Sequence, residues 1–131
     1  MHSNLIARTL VSGVIIELTL ATALIHLDLG GTLFTLNGLG YLALGAAYAA
    51  AATRLAPLRR YGWLPRVGLA GYAAVTIGAY LVVGPYFTLG WITKGIELAI
   101  IGLVIADLSV EYELPAGLFG GASSGRIEPA A

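Results

Sequence analysis

The chain has no cysteine, only two histidines, and 11% charged residues. Without cysteine there is no disulfide, no thiolate metal site and no thiol chemistry. Two histidines, one of them His2, are too few for a multi-histidine metal centre within one chain. Neither a metal nor a cofactor is therefore expected. Seven basic and seven acidic residues cancel, so nothing provides the net field that a nucleic-acid partner would require. A Gly-rich phosphate loop, a nucleophile elbow and an HExxH stretch are also missing. No catalytic residue can be assigned, and a non-enzymatic protein is expected.

What is present is apolar. Hydrophobic residues make up 58% of the 131 positions, and the mean hydropathy is +0.87. A water-soluble domain carries roughly a quarter charged residues; this chain has too few to cover a water-facing surface, and lipid is the solvent that fits. A bilayer core roughly 30 Å thick takes about 20 helical residues to cross. Four runs meet that length: about residues 5–27, 33–53, 67–86 and 91–110. The expectation is an all-α integral membrane domain over residues 1–114, an up-down-up-down bundle of four transmembrane helices. Residues 115–131, rich in Gly, Ser and Ala, read as a disordered cytoplasmic tail. Arg8 before the first run and Ala21-Thr22-Ala23 within it mimic a signal peptide, but the run is long and carries Glu17 at its centre.

The connections set the topology. Asp28-Leu29-Gly30-Gly31-Thr32 is a tight turn, and so is the stretch from Pro85 to Gly90. Between the second and third helices lie Arg54, Arg59, Arg60 and Arg66, with Pro57 and Pro65. Those four arginines, Arg8 and Arg126 put six of the seven basic residues on one side. By the positive-inside rule both termini are expected in the cytoplasm, in a plasma (inner) membrane. Tyr61 and Trp63 on the inner side, and Tyr86 and Trp91 on the outer, suit aromatic belts. Small residues four apart (Gly45 and Ala49, Ala74 and Gly78, Gly95 and Ala99, Gly102 and Ala106) predict close helix packing.

The intramembrane polar residues are the candidate site. Glu17 lies near the middle of the first helix, where a charge costs ~2.5–3.5 kcal/mol to insert. It reads either as a proton- or cation-coupling carboxylate or as a neutral glutamate hydrogen-bonded to a neighbouring helix. Nine residues at 100° each put His26 on the opposite face from Glu17. A helix polar on two faces either sits centrally or faces a second protomer, so a homodimer or larger membrane complex joins the lipid bilayer among the expected partners. Haem ligation by His26 would need a second chain's histidine. Lys94 and Glu97, three apart, share a face and can pair. Lys94 either snorkels to the interface or turns inward. In the second case His26, Asn37, Lys94 and Glu97 converge on an outward-facing polar pocket for a small lipid-like molecule. Tyr41 and Tyr48 continue the Asn37 stripe, and Tyr72, Thr76 and Tyr80 form another. Asp107, Glu111 and Glu113 face the arginine loop as a salt-bridged rim.

The segments Ile25-His26-Leu27-Asp28-Leu29-Gly30, Leu33 to Leu42, and Thr93-Lys94-Gly95-Ile96-Glu97-Leu98 resemble a group of small, uncharacterised four-helix membrane proteins of actinobacteria and haloarchaea. That resemblance implies the same four-helix fold, carries no established activity, and directs attention to His26, Asn37, Lys94 and Glu97. Four helices with one glutamate midway along the first are also similar to small multidrug-resistance exporters, where such a glutamate exchanges protons for cationic drugs in a dimer. Carried over, that role falls on Glu17. The Pro, Lys and Trp patterns of that family are missing, and Lys94 would repel a cation.

Overall fold

The protein is described here by a computed structural model covering residues 2–53 and 60–112. The expected tail at 115–131, together with Arg54, Pro57, Arg59 and Glu113, lies outside the described residues. Among the described residues there are four α-helices: α1 (His2–Leu29), α2 (Thr32–Ala52), α3 (Trp63–Val83) and α4 (Thr88–Glu111). No strand occurs among the described residues. All four helices are long and apolar enough to cross a membrane.

The boundaries follow local chemistry. Gly30 and Gly31 have φ of 67° and 79°; only glycine enters this region without steric cost, so the α1–α2 turn needs both. The third helix begins and ends earlier than the expected 67–86. Pro65 falls in its first turn, where a missing N–H costs nothing. At the other end Gly84 is extended, with ψ 147°, because a residue preceding a proline is pushed out of the α region. Helix α4 then starts at Thr88, three residues ahead of the expected Trp91.

Side-chain pairs show that each helix runs antiparallel to its neighbours. Gly38 packs against Ala23 and Leu27, Gly45 against Thr19, and Tyr48 reaches Ser12. Tyr41 meets Thr76, Thr76 meets Glu97 and Arg66 meets Asp107. Across the closing seam His26 faces Glu97 and Arg8 pairs with Glu111. The order around the bundle is α1-α2-α3-α4, with α2 and α3 the least extensively packed neighbours and with Tyr48 of α2 reaching across to Asp107 of α4.

The polarity is inverted relative to a water-soluble bundle. Thr19, Thr22, His26, Arg66, Thr93, Lys94, Glu97 and Asp107 are buried, while leucines, valines and isoleucines of every helix face outward. Water would penalise that outer surface, and lipid does not. The apolar centre comprises Ile15, Ala23, Leu69, Ala73, Ile100 and Val104, fully covered along with Tyr41 and Tyr48.

The small-residue pairs divide differently from the expectation. Gly45 does admit α1 at Thr19. Ala74, Gly78, Gly95, Ala99, Gly102 and Ala106, however, are exposed, and a Cβ added at Gly78, Gly95 or Gly102 would meet nothing. These stripes on α3 and α4 lie on the outer surface and do not hold this bundle together.

Candidate ligand site

A cavity of about 330 Å³ opens between α2 and α3 near the end carrying the two tight turns. Its lip is apolar: Leu33 and Leu36 from α2, Val75 and Val83 from α3, all exposed on the lipid-facing surface. The polar residues His26, Asn37, Tyr72, Thr76, Thr93 and Lys94 also line it, and of these His26, Thr93 and Lys94 are buried. The cavity thus joins an apolar outer surface to polar side chains within the bundle. An apolar cleft with a few convergent polar groups is the usual form of a small-molecule site.

Behind these lining residues, and not itself lining the cavity, lies Glu97, which is 0% exposed. Its Oε2 accepts from Lys94 Nζ at 2.5 Å and from the Thr76 hydroxyl at 2.9 Å. That hydroxyl is also 2.9 Å from the Ala73 carbonyl. The single Thr76 proton therefore goes to an acceptor, and Tyr41, 2.8 Å away, donates to Thr76. The other carboxylate oxygen, Oε1, is buried and has no hydrogen-bond partner. Its nearest neighbour of opposite character is His26 Nε2, at 3.8 Å.

Lys94 turns inward. It is only 8% exposed, its Nζ is held by Glu97, and it lies over the Tyr80 ring, 5.6 Å from the centroid. A membrane lysine that has a carboxylate and an aromatic face beside it has no need to reach for water. Tyr80 is itself fixed: its hydroxyl donates to the Phe87 carbonyl and accepts from the Phe87 N–H, at 3.3 and 3.2 Å. Any side chain at Gly90 would run into that ring.

His26 is buried between the rings of Phe34 and Tyr41. Its Nδ1 is 2.7 Å from the Thr22 carbonyl. A carbonyl only accepts, so Nδ1 carries a proton. Ligation of one haem by His26 of two chains needs this ring on an outer face, and it points into the bundle. Asn37 lines the same cavity, and its backbone carbonyl accepts from the Tyr72 hydroxyl at 3.3 Å. The structure thus gathers His26, Lys94 and Glu97 into one cluster, with Asn37 at the cavity wall.

Glu17 is placed elsewhere. It is exposed on the outer side of α1 and makes no hydrogen bond or ion pair among the described residues. The neutral glutamate bonded to a neighbouring helix is not what this chain builds, because Glu17 and the inward-facing His26 occupy opposite sides of one helix.

A second polar centre lies toward the other end, where the sequence predicts a salt-bridged rim of Asp107, Glu111 and Glu113 against the arginine loop. Arg66 Nε bonds Asp107 Oδ2 at 2.7 Å, its Nη1 bonds the Gly62 carbonyl at 2.6 Å, and Tyr48 donates to the same Asp107 oxygen at 2.9 Å. Both charged side chains are buried. Asp107 is therefore an interior anchor and no rim residue; the rim contact on this side is the Arg8–Glu111 pair. A cavity of about 430 Å³ lies beside them, lined by Arg8, Ser12, Thr53 and Glu111 among others. The sequence did contain one signal for the pair: an arginine and an aspartate both near the same ends of adjacent antiparallel helices. Comparison with known proteins gives no match among family models, curated proteins or solved structures, so the meaning of both centres rests on their own geometry.

Proposed function

We propose that this is a non-enzymatic, multi-pass plasma (inner) membrane protein that binds a small lipid-like molecule in the α2–α3 cavity. With both termini in the cytoplasm, as the arginine distribution favours, the cavity belongs to the outer half of the membrane. One observation carries the reading: His26 and Lys94, the latter paired with Glu97, line a cleft whose exposed residues include Leu33, Leu36, Val75 and Val83. The outward small-residue stripes of α3 and α4 suit a chain that also docks on other membrane helices as an accessory subunit.

Native mass spectrometry of gently extracted protein tests the binding reading. Wild-type protein is expected to carry a small-molecule mass that Lys94→Leu and Asn37→Leu weaken or lose. Protein that is bare in every mild detergent, at full occupancy of its folded state, removes the reading.

A second reading has its own observation, the unpartnered Glu17 on the outer face of α1. A carboxyl there is costly in lipid and is satisfied by a second copy or a bound cation, which supports a dimeric proton-coupled transporter. In vesicles, Glu17→Gln should abolish proton-driven uptake of cationic dyes. Unchanged uptake would exclude it.

A further inference from the structure

The cluster at the back of the cavity has a hydrogen-bond imbalance that identifies the head of the ligand. His26 Nδ1 is committed as a donor to the Thr22 carbonyl. In the neutral ring this leaves Nε2 as a lone pair, because one imidazole nitrogen donates and the other accepts. That lone pair faces Glu97 Oε1 across 3.8 Å, and Oε1 is a buried carboxylate oxygen with no partner. Two acceptors face each other, and each lacks a donor. A buried acceptor left in that state is costly. Beside them Lys94 has the opposite surplus: three N–H protons, of which Glu97 Oε2 takes one.

The site therefore holds two acceptors without a donor and, on Lys94, two protons still to give. Of the two acceptors only His26 lines the cavity, and a hydroxyl meets it and Lys94 at once, giving one proton and accepting through its lone pairs. His26 and Lys94 both line the cavity, so a single oxygen at its back can accept from Lys94 and donate to His26 Nε2. Charge points the same way. Lys94 and Glu97 neutralise each other at 2.5 Å, so the pair offers an anionic head no net counter-charge, and an ammonium would meet Lys94, which lines the cavity. The aliphatic lip at Leu33, Leu36, Val75 and Val83 accepts a hydrocarbon tail. We infer that the cavity selects an uncharged, hydroxyl-headed lipid, a membrane-dissolved alcohol or phenol, held by Lys94 and His26. This inference rests on the binding reading above and specifies its ligand.

A matched series of probes tests it. Full-chain protein, washed free of co-purified mass in mild detergent, is incubated with equimolar farnesol, farnesyl methyl ether and farnesoic acid. Native mass spectrometry then reads which is retained. Farnesol should exceed the ether about tenfold, the order expected for a donor that pairs an otherwise unsatisfied buried acceptor. His26→Phe should level the two. Ala79→Trp, which fills the cavity from its wall, should lose all three. Equal retention of alcohol and ether overturns the hydroxyl assignment. Preference for the acid overturns it too, and shows that Lys94 selects an anionic head. In both cases the cavity reading stands. Retention of none also overturns the assignment, and whether unwashed protein carries a native mass then decides the cavity reading separately.

Discussion

Removing Arg66 should cost several times what a surface ion pair is worth. The side chains of Arg66 and Asp107 are 4% and 3% exposed, so neither keeps a water shell and the screening that weakens surface pairs does not operate. Arg66→Met deletes the 2.7 Å bond to Asp107 and the 2.6 Å bond to the Gly62 carbonyl. Asp107 is left buried, with Tyr48 as its remaining strong donor. Stripping one partner from a buried pair costs ~3–5 kcal/mol, whereas an exposed rim pair contributes ~0–1 kcal/mol. Asp107→Leu alone should be similarly costly, because it strands the guanidinium over the Tyr48 ring. The double variant removes both charges and should lose far less than the sum. A coupling of about 2 kcal/mol or more is expected, well above the ~0.5 kcal/mol within which independent sites add. Reversible unfolding in mixed micelles, followed by helical circular dichroism, measures all four corners of the cycle. Repeating it at high salt adds an independent check, since a buried pair is insensitive to added ions and a rim pair is not. Single-variant costs below about 1 kcal/mol that add without coupling and fade with salt would refute the buried assignment.

Three further outcomes follow from packing. Gly90→Ala places a Cβ 2.8 Å from two ring atoms of Tyr80, a ring that Phe87 pins, so a loss of ~1–3 kcal/mol is expected in the same assay; neutrality would show that the turn yields. Gly31→Ala should destabilise by ~1–2 kcal/mol because φ at that position is 79°, while Gly71→Ala, where a Cβ meets nothing, should be neutral or slightly stabilising. Equal effects from these two would remove the conformational argument. Tyr41→Phe takes away the donor to Thr76 and should cost ~0.6 kcal/mol and no more than ~1.7 kcal/mol, the range for hydrogen bonds between membrane helices. A larger loss would mean that Tyr41 also supports Glu97 through the shared hydroxyl.

The spans were readable because bilayer thickness fixes helix length and Gly30-Gly31 can only be a turn. The ends of α3 were not, since hydropathy runs on past Gly84 while the backbone stops at the residue before Pro85. Spacing showed that Lys94 and Glu97 can pair. It left open which way Lys94 points, since a snorkelling and an inward lysine have the same sequence. The choice is made by Glu97 and by the Tyr80 ring, both of which are positioned by tertiary packing. Arg66 and Asp107 are 41 residues apart on consecutive antiparallel helices, so the sequence put them at the same end of the bundle; that they turn inward and are buried is set by tertiary packing, which charge counting does not supply.

The opposition of Glu17 and His26 on α1 was legible, and the structure gives it a functional consequence. His26 is buried against Glu97 and Tyr41, which leaves Glu17, half a turn round the helix, on the outer surface. No rotation of α1 brings both into the bundle, because a turn that buries one exposes the other. A site within one chain can therefore use the His26 cluster or Glu17, but not both together. Any role for Glu17 has to be played across an interface with another molecule, on the far side of α1 from the cavity. Substitutions at Glu17 should accordingly leave retention of a cavity ligand intact, and filling the cavity at Ala79 should leave any Glu17-dependent assembly intact. Mutual dependence of the two would require α1 to rotate between two packed states.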